Sequence, residues 1–200
     1  MNAAVVFDIG DVVCRFRPAE RLRELASATG LDAQAIDDAI WGSGFDARAD
    51  RGELQPDAVQ GFLRGALQQR LDRDQLREAW SQAFLPDEQV CKLAERVRVP
   101  VYAFTNNGPM LTLCFQHELS EVASRFERIV CSWEVGACKP DPVAFQRLCT
   151  ELYRPATDLL FVDDSTQNCD GARTAGLQAI HFRGAEELAD ELEARDLLGD

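Results

Sequence analysis

No stretch of this 200-residue chain approaches about 18 uncharged apolar residues in a row, so no membrane-spanning helix is expected. The first residues lack a basic region followed by a long apolar one, so no secretory signal is expected either. There is no internal repeat and no low-complexity segment. The seven cysteines, Cys14, Cys91, Cys114, Cys131, Cys138, Cys149 and Cys169, are odd in number and form no CxxC pair. That argues against a disulfide framework or a zinc site and for reduced thiols in a cytoplasmic protein. Positive charge is scarce: 21 Lys and Arg stand against 34 Asp and Glu, a net charge of −13. Such a chain does not suit general binding to nucleic-acid phosphates, and any anionic ligand must be met by positive charge placed locally. The two histidines, His117 and His181, fall in no catalytic pattern.

What is present is a globular composition, 46% hydrophobic and 28% charged. Its size suits one domain, or one domain with a sizeable insertion. Strand candidates lie at 3–8, 99–105, 128–131, 158–163 and 178–182, short runs of Val, Ile, Phe and Leu separated by helical patterns. This alternation predicts an α/β fold, a Rossmann-like and mostly parallel sheet with helices on both faces.

The gap between the first two strands is too long for one crossover. Pro18 suits the first turn of a helix ended by Gly30, and Asp32 caps a second running to Trp41. Val59, Phe62, Leu63, Ala66 and Leu67 form an amphipathic stripe, and Leu76, Ala79, Trp80, Ala83 and Phe84 repeat it behind Asp72. Residues 15–85 therefore read as a small helical bundle inserted into a core formed by 1–14 and 86–200. Later helices are expected at 87–97, 109–119, 142–152, 166–175 and 185–197.

Chemistry-bearing residues gather at the predicted strand ends. Asp8 ends the first strand, Thr105-Asn106-Asn107-Gly108 the second, and Asp163-Asp164-Ser165 the fourth. Lys139 stands in Gly136-Ala137-Cys138-Lys139-Pro140-Asp141-Pro142, just before a helix. In an open parallel sheet these ends share one edge, where ligands bind. Each also has a structural reading. Asp8 suits a strand-end turn, the Asp163-Asp164 pair an N-cap, Thr105 and Asn106 caps of the next helix, and Lys139 a solvated loop. Their joint placement favours chemistry.

Phe-Asp-Ile-Gly-Asp-Val, Phe-Thr-Asn-Asn, Cys-Lys-Pro-Asp-Pro and Phe-Val-Asp-Asp-Ser-x-x-Asn-x-x-Gly-Ala-x-x-Ala-Gly resemble, in order and spacing, the four motifs of the haloacid dehalogenase-like hydrolases. The insert after the first motif is similar to that family's helical cap. The Asp-x-Gly form of motif one and Arg51-Gly52-Glu53-Leu54 look most like the sugar-1-phosphate phosphatases and the phosphatase domains of epoxide hydrolases. The resemblance implies a Mg²⁺-dependent phosphatase of a small phosphorylated metabolite, acting as a monomer or homodimer with no nucleic-acid or membrane partner. Asp8 would be the nucleophile, forming an aspartyl-phosphate. Asp8, Asp164 and the Gly10 carbonyl would ligate the cation, with Asp163 holding a metal-bound water. Lys139 would neutralise Asp8 and the phosphate, while Thr105 and the Asn106 backbone N–H donate to phosphate oxygens.

One departure matters. Most phosphatases of this family carry an acid two residues after the nucleophile, and here that residue is Gly10. Three substitutes are open: a neighbouring acid, of which Asp11 is the nearest; a cap residue or metal-ordered water; or a substrate whose leaving group needs little help. Two other functions also stay open, a dehalogenase-type hydrolase and a non-catalytic regulatory or binding protein. In the insert, Trp41, Phe45 and Trp80 read as bundle core. If the insert closes over the strand ends, Trp41, Phe45 or Arg48 would line a pocket, with Arg48–Glu53 as the specificity stretch.

Overall fold

The computed structural model describes residues 4–199; Ala3 of the expected first strand lies outside them. The elements run β1 (Ala4–Phe7), β2 (Cys14–Phe16), α1 (Pro18–Thr29), α2 (Ala33–Asp37), α3 (Phe45–Asp50), α4 (Pro56–Ala66), α5 (Arg73–Ser81) and β3 (Phe84–Pro86). They continue with α6 (Glu88–Arg96), β4 (Val101–Thr105), α7 (Pro109–Gln116), α8 (Ser120–Ala123), β5 (Arg128–Cys131), α9 (Ser132–Val135), α10 (Pro142–Glu151), β6 (Leu159–Asp163), α11 (Thr166–Thr174), β7 (Gln178–His181) and α12 (Ala185–Glu193).

Five strands form one parallel sheet in the order β5-β4-β1-β6-β7. Alternation sorts their side chains onto two buried faces. Ala4, Val6, Phe104 and Phe161 pack with Phe145 and Leu148 of α10 on one face. Val5, Phe7, Ala103 and Val162 face the other way, into a core that continues into the helices of the insert. Register decides where the polar residues land. Phe7 pairs with Val162 on one side and Ala103 on the other, so Asp8 and Asp163 emerge side by side at the carboxyl edge of the sheet. The Asp8 N–H donates to the Val162 carbonyl at 2.8 Å and fixes that position.

The insert is entered and left through a ribbon that its sequence does not announce. β2 and β3 pair antiparallel, Phe16 opposite Phe84 and Cys14 opposite Pro86. The ends are closed by Arg17 N–H to the Ala83 carbonyl (2.7 Å) and Asp87 N–H to the Val13 carbonyl (2.8 Å). Three residues per strand give no readable alternation, and the expected limits at 15 and 85 fall inside this ribbon.

Other expectations need adjustment. The helix behind Asp32 stops at Asp37 and passes into a π-helical stretch over Asp38–Gly42. Such bulges turn side chains out of the α-helical register; here Ile40 is buried, while Trp41 stacks on Trp80 with ring centroids 5.8 Å apart. Phe62, expected on the buried stripe, lies on its flank and stacks against Phe45 at 3.7 Å. Asp72 caps α5, and Gln75 completes a capping box with it. Among the described residues no helix is long and apolar enough to cross a membrane.

Candidate active site

The floor of the site is a buried ion triad. Lys139 Nζ lies 2.8 Å from Asp8 Oδ1 and 2.7 Å from Asp163 Oδ2. It also donates to the Phe104 carbonyl at 3.0 Å and sits over the Phe161 and Phe104 rings, 5.1 and 5.6 Å from their centroids. The ammonium thus has three oxygen partners and two π faces in a water-poor place. Burial alone would lower the Lys139 pKa, but Asp8 and Asp163 together hold it above the ordinary lysine value. Burial pushes Asp8 up to about 7; Lys139 pulls it back and Asp163 adds to the rise.

The loop carrying Lys139 is held from across the sheet. The Asn106 side chain accepts from the Lys139 N–H (2.9 Å) and donates to its carbonyl (2.8 Å), clamping a backbone unit 33 residues away. Thr105 Oγ1 accepts from Asn107 Nδ2 at 2.9 Å. Asp163 is fully engaged. Its Oδ1 accepts from the Ser165 N–H and Asn168 Nδ2, both at 2.9 Å, and its Oδ2 from Lys139 and Asn168.

Carboxylate oxygens of Asp8, Asp163 and Asp164 lie within 4.8 Å of one another. Three acids face one ammonium, so a cation would relieve their repulsion. The Asp164 carboxyl is raised by burial, then by Asp163 and Asp11. Gly10 lines the same cavity, and its carbonyl accepts no hydrogen bond among the described residues. Asp8, Asp164 and this carbonyl are all-oxygen donors with free lone pairs, which fits a hard divalent cation.

Above the floor opens a cavity of about 630 Å³, roofed by the insert. Its upper wall is Arg21 of α1, Trp41, and the acids Asp37, Asp46 and Asp50. Arg21 is 3% exposed; its Nε donates to the Trp80 carbonyl at 3.1 Å and its guanidinium lies 4.2 Å from the Trp80 ring centroid. Its Nη2 has no hydrogen-bond partner among the described residues.

A family model of haloacid dehalogenase-like hydrolases matches residues 3–176. The chain belongs to this family. The hydrolase is 27% identical to a phosphatase of Mycobacterium tuberculosis over 98% of this chain and 93% of that protein. It is 22% identical to the D-ribitol-5-phosphate phosphatase of Bacteroides thetaiotaomicron, over 94% and 95%. The fold matches a solved enzyme of the family from Bacteroides thetaiotaomicron, in complex with magnesium and inorganic phosphate. The TM-score is 0.68 and identity 17%, covering 92% of this chain and 95% of that one.

The hydrolase brings Asp8, Gly10, Thr105, Asn106, Lys139 and Asp164 to one cavity, with Asp163 directly behind Lys139. Asp11 lines the cavity too, but it is exposed at φ 56° and its Oδ1 accepts from the Phe16 N–H at 2.9 Å, which ties it to the start of the ribbon. Trp41 reaches the cavity; Phe45 and Arg48 line a separate shallow one behind it. Sequence reasoning missed Arg21. Its signal is a charged residue on the buried face of α1, at i, i+4 and i+8 with Leu25 and Thr29. It also missed the Asn106 side chain, whose partner is too distant in sequence to suggest itself.

Proposed function

We propose that the hydrolase is a Mg²⁺-dependent phosphatase of a small phosphorylated metabolite, with a sugar or alditol phosphate as the preferred class. The observation that carries this reading is the Asp8 carboxylate held 2.8 Å from a buried ammonium, beside a second and third acid and beneath a cavity. Lys139 opposes the rise that burial imposes on Asp8 and offsets charge as the phosphoryl group approaches. Asp8 attacks phosphorus in line with the leaving oxygen, and the resulting aspartyl-phosphate is cleaved by water. Thr105 Oγ1 and the Asn106 N–H donate to the phosphoryl oxygens. A bound Mg²⁺, held by Asp8, Asp164 and the Gly10 carbonyl, would screen the phosphate's charge. Asp163, engaged by Lys139, Asn168 and Ser165, orients this set. Aromatic Trp41 beside several acids and Arg21 suits a polyhydroxylated leaving group, since such rings cover C–H faces while the polar groups pair hydroxyls.

The test is p-nitrophenyl phosphate hydrolysis with and without Mg²⁺. Wild type should turn over only with the metal, and Asp8→Asn should lose about 10⁴-fold or more. Metal-independent turnover, or activity surviving in Asp8→Asn, would remove the reading.

A further inference from the structure

Gly10 leaves the reaction without a proton donor at the usual place, and the roof supplies an acid instead. We propose that Asp50, at the end of α3 in the insert, is the general acid and base of this site. The inference rests on the phosphatase reading above.

Asp50 lines the same cavity as Asp8, Thr105 and Lys139. Its place over the phosphate-binding loop is fixed by core contacts. Ser132 Oγ donates to the Asp50 carbonyl at 2.7 Å and accepts from the Asn107 N–H at 3.0 Å. Cys138 Sγ, next to Lys139, donates to the same carbonyl at 3.5 Å. Asp50 Oδ1 lies against Gly108, 3.4 Å from where a Cβ would stand. Two residues on, Gly52 adopts φ +69° and presses on the core so closely that a Cβ there would fall 2.4 Å from the Trp133 carbonyl. The carboxyl is therefore set at the mouth of the Thr105–Gly108 loop, on the insert side, where a leaving group would extend from the phosphate.

Its surroundings keep it protonated near neutrality. Burial raises Asp50, then the charge of Asp46 raises it further, to about 8; Arg21, the Gly108 amide and Arg51 pull it only partly back. The charged and titratable groups around it are Asp46 on its own helix, Arg51 beyond its end, Arg21 of α1, Asp37 of α2 and the Cys138 thiol. Asp46 accepts from the Trp41 indole and faces Arg21. Arg21 and the Trp41 hydrogen bond pull the Asp46 carboxyl down against the rise that burial imposes. When Asp50 gives up its proton, the unpartnered Arg21 Nη2 is the cationic group in the roof that steadies the new carboxylate. Asp11 is exposed and lacks this enclosure.

The chemistry balances. As the Asp8 oxygen bonds to phosphorus, the bond from phosphorus to the leaving oxygen breaks and that oxygen takes the Asp50 proton. In the second half, water bonds to phosphorus, the Asp8 bond to phosphorus breaks, and the water's proton returns to Asp50.

A paired substrate assay reads this directly. p-Nitrophenol leaves without a proton, whereas the alkoxide of a sugar 6-phosphate does not. Asp50→Asn should lower kcat/KM, which reports the steps up to departure of the leaving group, by about 10²–10⁴-fold on the sugar phosphate and little on the aryl phosphate, whereas kcat, which includes hydrolysis of the shared aspartyl-phosphate, should fall for both. In wild type, kcat/KM on the sugar phosphate should fall above pH 8, and the aryl profile should lack that limb. A retained burst of p-nitrophenol also shows that the variant is folded. Equal effects of Asp50→Asn on kcat/KM for both substrates together with identical wild-type pH limbs would overturn the assignment, as would the same substrate split appearing in Asp11→Asn instead. A wild type that cleaves neither phosphate removes the phosphatase reading and this inference with it.

Discussion

The floor and the roof of the cavity treat charge in opposite ways. On the floor, Asp8, Lys139 and Asp163 are locked at 2.7–2.8 Å, and every oxygen of Asp163 is used. In the roof, Arg21, Asp46 and Asp50 share one enclosure with a guanidinium nitrogen that has no hydrogen-bond partner among the described residues. The floor is carried by strand ends whose register the sheet fixes. The roof stands on short helices joined by turns. A paired floor gives a constant field for an invariant group, the phosphoryl moiety. An unpaired roof keeps hydrogen-bonding capacity for the variable part of a substrate and leaves one carboxyl free to exchange a proton. The difference teaches that low exposure alone does not identify a structural charge; what matters is whether its partners are already in place.

The largest effect on the fold is expected from breaking the floor. Lys139→Ala leaves Asp8 and Asp163 buried against each other, at a cost of about 3–5 kcal/mol. Thermal unfolding should drop by on the order of 10 °C; a change within a degree or two would mean that the triad is looser than described. A smaller effect follows from loosening one clamp. Asn168→Ala removes two bonds to Asp163, so Mg²⁺ affinity measured by calorimetry should weaken about 10–100-fold with the fold retained. Unchanged affinity would uncouple Asp163 from the cation.

The smallest effect separates the roof. The Asp50 carboxyl is raised from 3.8 to about 8, so the folded state binds a proton that the unfolded chain has lost. Its contribution to stability is then full at low pH and declines as pH rises from about 4 to about 8. Asp50→Asn cannot ionise, and its Tm relative to wild type should rise by a few degrees between pH 5 and pH 8.5. A gap that stays flat would show Asp50 to be ionised throughout. Gaining stability at the cost of proton transfer is the expected signature of a functional group held away from its ordinary pKa.

Much of the floor was legible because its residues follow β-branched runs and a parallel sheet gathers such ends at one edge. Asp8, Thr105, Lys139 and Asp164 required only the order of the strands. Asn106 was read as a backbone donor; its side chain clamps Lys139 through a pairing that exists only after the sheet forms. The roof was less legible for two reasons. Helix α3 has six residues and begins at Gly44 in the left-handed region without a side-chain cap, so neither period nor cap marks it. The ribbon of β2 and β3 is held by backbone pairing, which side-chain patterns do not encode. Asp50 did fall within the stretch Arg48–Glu53 singled out from the sequence, but its setting depends on Gly52 pressing that turn onto α9.

The account turns on covalent transfer to Asp8. Acid-quenching the enzyme within a single turnover of a phosphate ester, with Mg²⁺, and mapping the modified peptide by mass spectrometry tests it most directly. The account predicts a phosphoryl group on Asp8, absent in Asp8→Asn. Steady phosphate release with no modified Asp8 at any quench time would contradict it.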